Sequence, residues 1–149
     1  MKVTLLLKKL DGTIEIKVVD TEHKLSEHFK VKEFLVNIND NLDLACVSEY
    51  DIETYETIRI ILGLPVSPTS GGRTTEYNAR KEIGGSSISK HPYLFDVNDF
   101  KVIGATDEQL DNIYKYLIFR DYTGIGRYEE YRFHADRGYR NKLTVWDER

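Results

Sequence analysis

Apolar and polar residues alternate with a period of two at the start of the chain. Val3, Leu5 and Leu7 lead into Asp11-Gly12, and Ile14, Ile16 and Val18 alternate back out of it. That pattern predicts a β-hairpin over residues 2–19, with one apolar face and one face of Lys and Glu. Farther on the period lengthens. Ile52, Tyr55, Ile58 and Leu62 fall on one side of a helix over 51–62, with Gly63 as its stop. The clearest helical stripe is Leu110, Ile113, Tyr114, Leu117 and Ile118, spaced i, i+3, i+4, i+7 and i+8. Thr106 opens that helix, and Gln109 follows it at the spacing of a capping box.

The remaining pattern is shorter. Leu25, Phe29 and Phe34 anchor a turn that Ser26 is placed to cap, and Asn and Asp crowd a loop over 37–43. Residues 65–72 read as a short extended piece. Thr74 or Thr75 caps a second short helix running to about Lys81, and Gly84-Gly85-Ser86-Ser87 is a loop. Residues 94–103 read as a strand. Gly124 and Gly126 break the chain after the long helix, and 131–135 and 142–146 read as a closing pair of strands turned at Gly138. The sum is an α+β single domain, a mostly antiparallel sheet with flanking helices.

A length of 149 residues holds one domain. With 21 basic against 25 acidic residues the net charge is −4, which argues against a nucleic-acid partner bound by bulk positive charge. Cys46 is the only cysteine, so an internal disulfide and a cysteine zinc cluster are both excluded. Leu44, Ala45 and Val47 surround it, the setting of a buried small hydrophobe. No apolar run is long enough for a membrane span, and Lys8-Lys9 interrupts the start before a signal-peptide core could form. The expectation is a protein made in the cytoplasm without an export signal, with neither nucleic acid nor membrane as a partner.

Four histidines are present, and His23 and His28, beside charged residues, read as solvated or structural. His91 follows a Gly-Gly-Ser-Ser loop and precedes a strand carrying Asp96 and Asp99. His134 lies in the strand-like Phe133-His134-Ala135-Asp136. Two histidines and a carboxylate form a three-ligand zinc set with one position left open, although structural histidines fit the same spacing. Arg73, after Ser70-Gly71-Gly72, is a candidate for gripping a carboxylate or an oxyanion, or for a surface ion pair.

In order along the chain, several phrases resemble the M15 family of zinc peptidases, specifically its compact D-Ala-D-Ala carboxypeptidase-like branch of phages and bacteria. They are Leu25-Ser26-Glu27-His28-Phe29 with Glu33-Phe34, then Thr69-Ser70-Gly71-Gly72-Arg73 with Tyr77-Asn78, then Gly84-Gly85 with Ser89-Lys90-His91. Gly124-Ile125-Gly126-Arg127-Tyr128, Phe133-His134-Ala135-Asp136 and Trp146 complete the series. The resemblance runs from about residue 25 to residue 146 and leaves the hairpin outside it. It implies an N-terminal hairpin extension over 1–20 and a peptidase domain over 21–149 with the hedgehog/D-Ala-D-Ala-peptidase-like fold.

The same resemblance implies Zn2+ as cofactor, held by His91, His134 and one Asp between them. Arg73 would grip substrate and stabilise the transition state, and Asp136 or Glu130 would serve as general base. The family places its ligand Asp seven residues after the first His, where this chain has Asn98. Asp99 takes the role if the chain bulges by one residue, and Asp96 is the alternative. The implied activity is a peptidoglycan peptidase, a D-Ala-D-Ala carboxypeptidase or a cross-bridge endopeptidase, with stem peptides as partners. A phage product released to the wall or carried in a virion fits the lack of an export signal. The broken ligand phrase and the added hairpin motivate a second reading. In it the protein is a non-catalytic structural, assembly or cell-wall-binding module with a degraded metal site, its hairpin meeting a virion or assembly partner.

Overall fold

The computed structural model describes residues 1–35, 44–70 and 95–149. Strand β1 (Lys2–Lys8) turns at Asp11-Gly12 into β2 (Ile14–Asp20), as the alternation predicts. A single 3-10 turn (Val31–Phe34) leads toward β3 (Leu44–Ser48), which runs straight into helix α1 (Glu49–Leu62). Strands β4 (Val66–Ser70) and β5 (Val97–Val102) follow, then helix α2 (Asp107–Phe119). The chain finishes with β6 (Gly124–Tyr128), β7 (Arg132–Asp136) and β8 (Thr144–Glu148).

The strands form two sheets, one in the order β2-β1-β3 and one in the order β4-β5-β7-β6-β8. Pairing is antiparallel except for β1 with β3 and β6 with β8, so both sheets are mixed. One hydrophobic cluster joins the sheets and both helices. Val3, Leu5 and Leu7 meet Phe29, Phe34, Tyr55, Phe100, Phe133, Ile113 and Leu117 in it. Phe100 and Phe133 stack with ring centroids 5.6 Å apart, across the β5–β7 pair. The hairpin is therefore continuous with the rest of the molecule through the β1–β3 ladder and the shared core.

Helix α2 starts as the spacing predicts. The Thr106 hydroxyl accepts from Gln109 N–H at 3.2 Å, and the Gln109 side-chain oxygen accepts from Thr106 N–H at 2.9 Å. Ser26 departs from its expected capping role: its hydroxyl donates to Glu56 on α1 at 2.6 Å, tying the 23–30 segment to the helix. The expected helix over 74–81 and the loops at 37–43 and 84–87 lie outside the described residues.

Two sequence readings are corrected. In the hairpin register Leu5 faces Lys17 and Leu6 faces Ile16, so the aliphatic sets of β1 and β2 lie on opposite faces. Val3, Leu5 and Leu7 are buried while Ile16 and Val18 are 70% exposed. A turn region with an odd number of residues produces that offset, because side chains alternate with a period of two. The second correction concerns the C-terminal strands. The segment read as a break at Gly124 and Gly126 is strand β6, and β8 pairs with β6 rather than with β7. Trp146 fills the space beside Gly126, which is why a glycine stands within a strand there.

Candidate metal centre

Strands β5 and β7 run antiparallel with Asp99 directly opposite His134. Alternation does the rest: Phe133 and Ala135 point into the core, and His134 and Asp136 share the opposite face. On β5, Phe100 is buried and Asp99 lies on the His134 side. The row continues through Gly126 of β6 to Trp146 of β8. A carboxylate, an imidazole, a bare glycine and an indole thus cross four adjacent strands.

His134 is held at both ring nitrogens. Nδ1 lies 3.0 Å from Asp99 Oδ1, and Nε2 lies 2.7 Å from Asp136 Oδ2. Burial disfavours the imidazolium, but the hydrogen bonds to Asp136 and Asp99 outweigh it and raise the pKa of His134 to about 9. The His134 and Trp146 rings lie 5.3 Å apart, centre to centre. The indole N–H donates to the Tyr128 hydroxyl at 2.6 Å, fixing the ring against the histidine.

Asp136 is fully buried and bound on two sides. Besides His134, it receives the Arg140 guanidinium, with Nε 3.1 Å from each carboxylate oxygen and Nη2 3.0 Å from Oδ2. Burial pushes its carboxyl upward. The bonds from His134 and Arg140 more than offset this and hold it below the ordinary carboxylate value. Gly124 makes room for the pair, since a Cβ there would overlap Arg140 Nε and the Asp136 carboxylate.

Asp96 goes elsewhere. Its backbone is left-handed, with φ of 62°, just before β5. Its buried carboxylate accepts from Ser48 at 2.6 Å and from Lys8 at 2.8 Å, with Arg137 3.4 Å away. These partners lie on the three-stranded sheet and beyond β7, so the structure brings Asp99, and not Asp96, to His134. Glu130 stands exposed in the β6–β7 turn with φ of 60°. Glu130 and Tyr131 are both left-handed, so Glu130 lies in the turn before β7 begins at Arg132 and outside the row of side chains that holds His134. His91 and Arg73 lie outside the described residues, as does most of the stretch in which a bulge after His91 was expected.

Sequence reading passed over Arg140, and it quoted Gly124 and Tyr128 within a family phrase without giving either a role. The available signals were an arginine four residues after Asp136 and two glycines spaced by two in a strand that ends in Tyr128. Cys46 is buried as expected, and burial lifts its thiol to about 11, far from a reactive thiolate. Among the described residues no helix is long and apolar enough to cross a membrane.

Among the described residues no group of three His, Cys, Asp or Glu side chains forms a metal site. The pair that is described suits one. Asp99 and His134 offer an oxygen and a nitrogen of the types that zinc takes, 3.0 Å apart on the same face of the sheet. The far nitrogen of His134 is already held by a carboxylate, the usual support for a metal-bound histidine.

A family model described as Peptidase M15 matches residues 27–136. Comparison with curated proteins and with solved structures gave no match. The matched span contains β3 through β7, both helices, and the Asp99–His134–Asp136 cluster. On the strength of that match over most of its length, this chain belongs to the M15 peptidase family.

Proposed function

We propose that the protein is a zinc-dependent peptidase acting on peptidoglycan stem peptides, as a D-Ala-D-Ala carboxypeptidase or a cross-bridge endopeptidase. The observation that carries this reading is the Asp99–His134 pair, 3.0 Å apart on adjacent strands in a chain of the M15 family. His91, Asp99 and His134 would hold the metal. The chemistry such a site would supply, once loaded with zinc, is Lewis acidity toward a scissile carbonyl and a lowered pKa for water.

The chain's own residues do the remaining work. Asp99 and His134 each present one donor from a rigid ladder, which fixes their separation without help from a loop. Arg73 is the group for a substrate carboxylate or for the charge that develops on the carbonyl oxygen. The Trp146 and Tyr128 pair walls one side of the row and presents a flat apolar surface to a peptide. Asp136 and Glu130 are the two carboxylates nearest in sequence to His134 that could take a proton. Their surroundings differ, one fully buried and paired, the other exposed on a turn.

The test is metal content together with cleavage of purified muropeptides. Wild type and the variants His91→Ala, Asp96→Ala, Asp99→Ala and His134→Ala are loaded with zinc and desalted. About one zinc in wild type, lost from the His91, Asp99 and His134 variants and kept by Asp96→Ala, supports the reading. Zinc-dependent release of D-Ala or of a cross-bridge product completes it. Wild type that takes up no zinc and leaves muropeptides untouched overturns it, in favour of an assembly or wall-binding module on the same fold.

A further inference from the structure

We infer that Asp136 and Arg140 form a positioning couple that holds His134 as a metal ligand through Nδ1, and that Asp136 is not the proton acceptor. The inference rests on the peptidase reading and adds two roles to it.

The first argument is occupancy. A carboxylate that takes a proton from water must present an oxygen to that water. Asp136 is fully buried. Its Oδ2 lies 2.7 Å from His134 Nε2 and 3.0 Å from Arg140 Nη2, and Oδ1 lies 3.1 Å from Arg140 Nε. Both oxygens are spoken for.

The second argument is direction. The two ring nitrogens of His134 face different partners, Asp99 at Nδ1 and Asp136 at Nε2. Asp99 belongs to the candidate ligand set, so the metal side of the ring is Nδ1. Asp136 sits on the other side, where a carboxylate fixes the tautomer by accepting the remaining ring N–H and makes Nδ1 a better donor.

The third argument is that the fold makes room for the couple. Arg140 lies beyond the strand, after Gly138, and folds back so that its guanidinium lies 5.2 Å from the Trp146 ring centre and meets Asp136. Gly124, facing Asp136 on β6, leaves the space that a Cβ would take from both groups. Gly124 opens β6, and any other L-residue there would drive its Cβ into both the Arg140 guanidinium and the Asp136 carboxylate.

The test uses the full chain with Asp136→Asn, Arg140→Ala and Arg140→Lys, each checked for a native circular-dichroism spectrum. Zinc affinity is measured by chelator competition, and the His134 ring is followed by long-range proton–nitrogen NMR. The expected results are a loss of about ten- to a hundredfold in zinc affinity for Asp136→Asn and a smaller loss for Arg140→Ala. Arg140→Lys should recover part of the affinity, because it restores the charge but not the fork. In zinc-loaded wild type the Nε2 proton persists and the Nδ1 proton is gone.

Asp136→Asn that binds zinc as tightly as wild type while kcat collapses would make Asp136 the base and overturn the inference. A zinc-loaded ring protonated at Nδ1 overturns it as well. If Asp136→Asn does not fold, Arg140→Ala decides: zinc affinity and ring spectrum both unchanged count against the couple. Wild type that takes up no zinc overturns the peptidase reading itself, a result distinct from any of these.

Discussion

The indole of Trp146 occupies the space that a side chain at Gly126 would need, and its N–H is tied to the Tyr128 hydroxyl on the same strand as that glycine. Gly126→Ala should therefore push the indole away from His134 and break the hydrogen bond to Tyr128. Overpacking of this kind costs about 1–3 kcal/mol. Denaturation followed by far-ultraviolet circular dichroism measures the loss. Trp146 is the only tryptophan, so its emission reports the displacement without further labelling. An unchanged emission maximum in the alanine variant would count against the packing described.

Protons and metal should compete at His134. Its folded pKa of about 9 lies above the 6.5 of an ordinary imidazole, because the bonds to Asp136 and Asp99 outweigh burial. In metal-free protein the stabilising contribution is fully present below pH 6.5 and is lost as pH rises through about 9. His134→Gln should flatten that part of the stability profile. Zinc must displace the same proton, so its apparent affinity should climb with pH, by about tenfold per unit for one proton, and level off above about pH 9. Calorimetry in buffers of different ionisation enthalpy counts the protons released.

A second titration sits deeper. Asp51 on α1 is buried, and desolvation together with the neighbouring Asp96 raises its carboxyl from 3.8 to about 7. The Tyr122 hydroxyl donates to it at 2.6 Å. A carboxyl raised on folding binds its proton more tightly in the native state, so stability falls as pH rises from 3.8 through about 7. Asp51→Asn keeps an acceptor for Tyr122 and removes the charge. The variant should be more stable than wild type at pH 8 and should lose the slope between pH 4 and 7. Urea melts across that range test it, and a parallel profile for the two proteins would contradict it.

Removal of residues 1–20 should unfold the rest. The cut takes away the β1 partner of β3 and opens the core where Val3, Leu5 and Leu7 lie. It also strips Lys8 from Asp96, whose side chain is only 3% exposed. Lys8→Met isolates that last term. Leaving a buried carboxylate short of a donor costs about 1–3 kcal/mol, toward the low end here because the lysine is itself partly exposed and Ser48 remains. A truncated chain that melts cooperatively at the wild-type temperature would show the hairpin to be an appendage.

Elements whose signal is local were legible in the sequence. The Asp11-Gly12 hairpin and the Thr106–Gln109 box declare themselves within a few residues, and both are present. What depended on partners far along the chain was not. Ile14, Ile16 and Val18 alternate as a buried strand would, but register against β1 turns them outward. Gly124 and Gly126 resemble chain breakers until Asp136, Arg140 and Trp146 are seen in the space beside them. The ordered family phrases put His134 in one set with either Asp99 or Asp96, and that Asp99 is the one standing opposite His134 is visible only in the pairing of β5 with β7. For Arg140 the sequence offered only its spacing of four from Asp136, and its part emerges when the chain after Gly138 folds back on Asp136.

The alternation of β7 has a consequence for how this segment can change over generations. His134 and Asp136 look one way, Phe133 and Ala135 the other, across a strand paired on both edges. One codon gained or lost inside it would turn the imidazole into the aromatic core and the phenylalanine into the row of polar groups. Substitutions can be tried there one at a time, but changes of length cannot. Length can drift only in the bordering turns, 129–131 and 137–143, where the paired ladder is interrupted. In related chains the spacing from Arg132 to Asp136 should therefore stay constant even where these two turns differ in size.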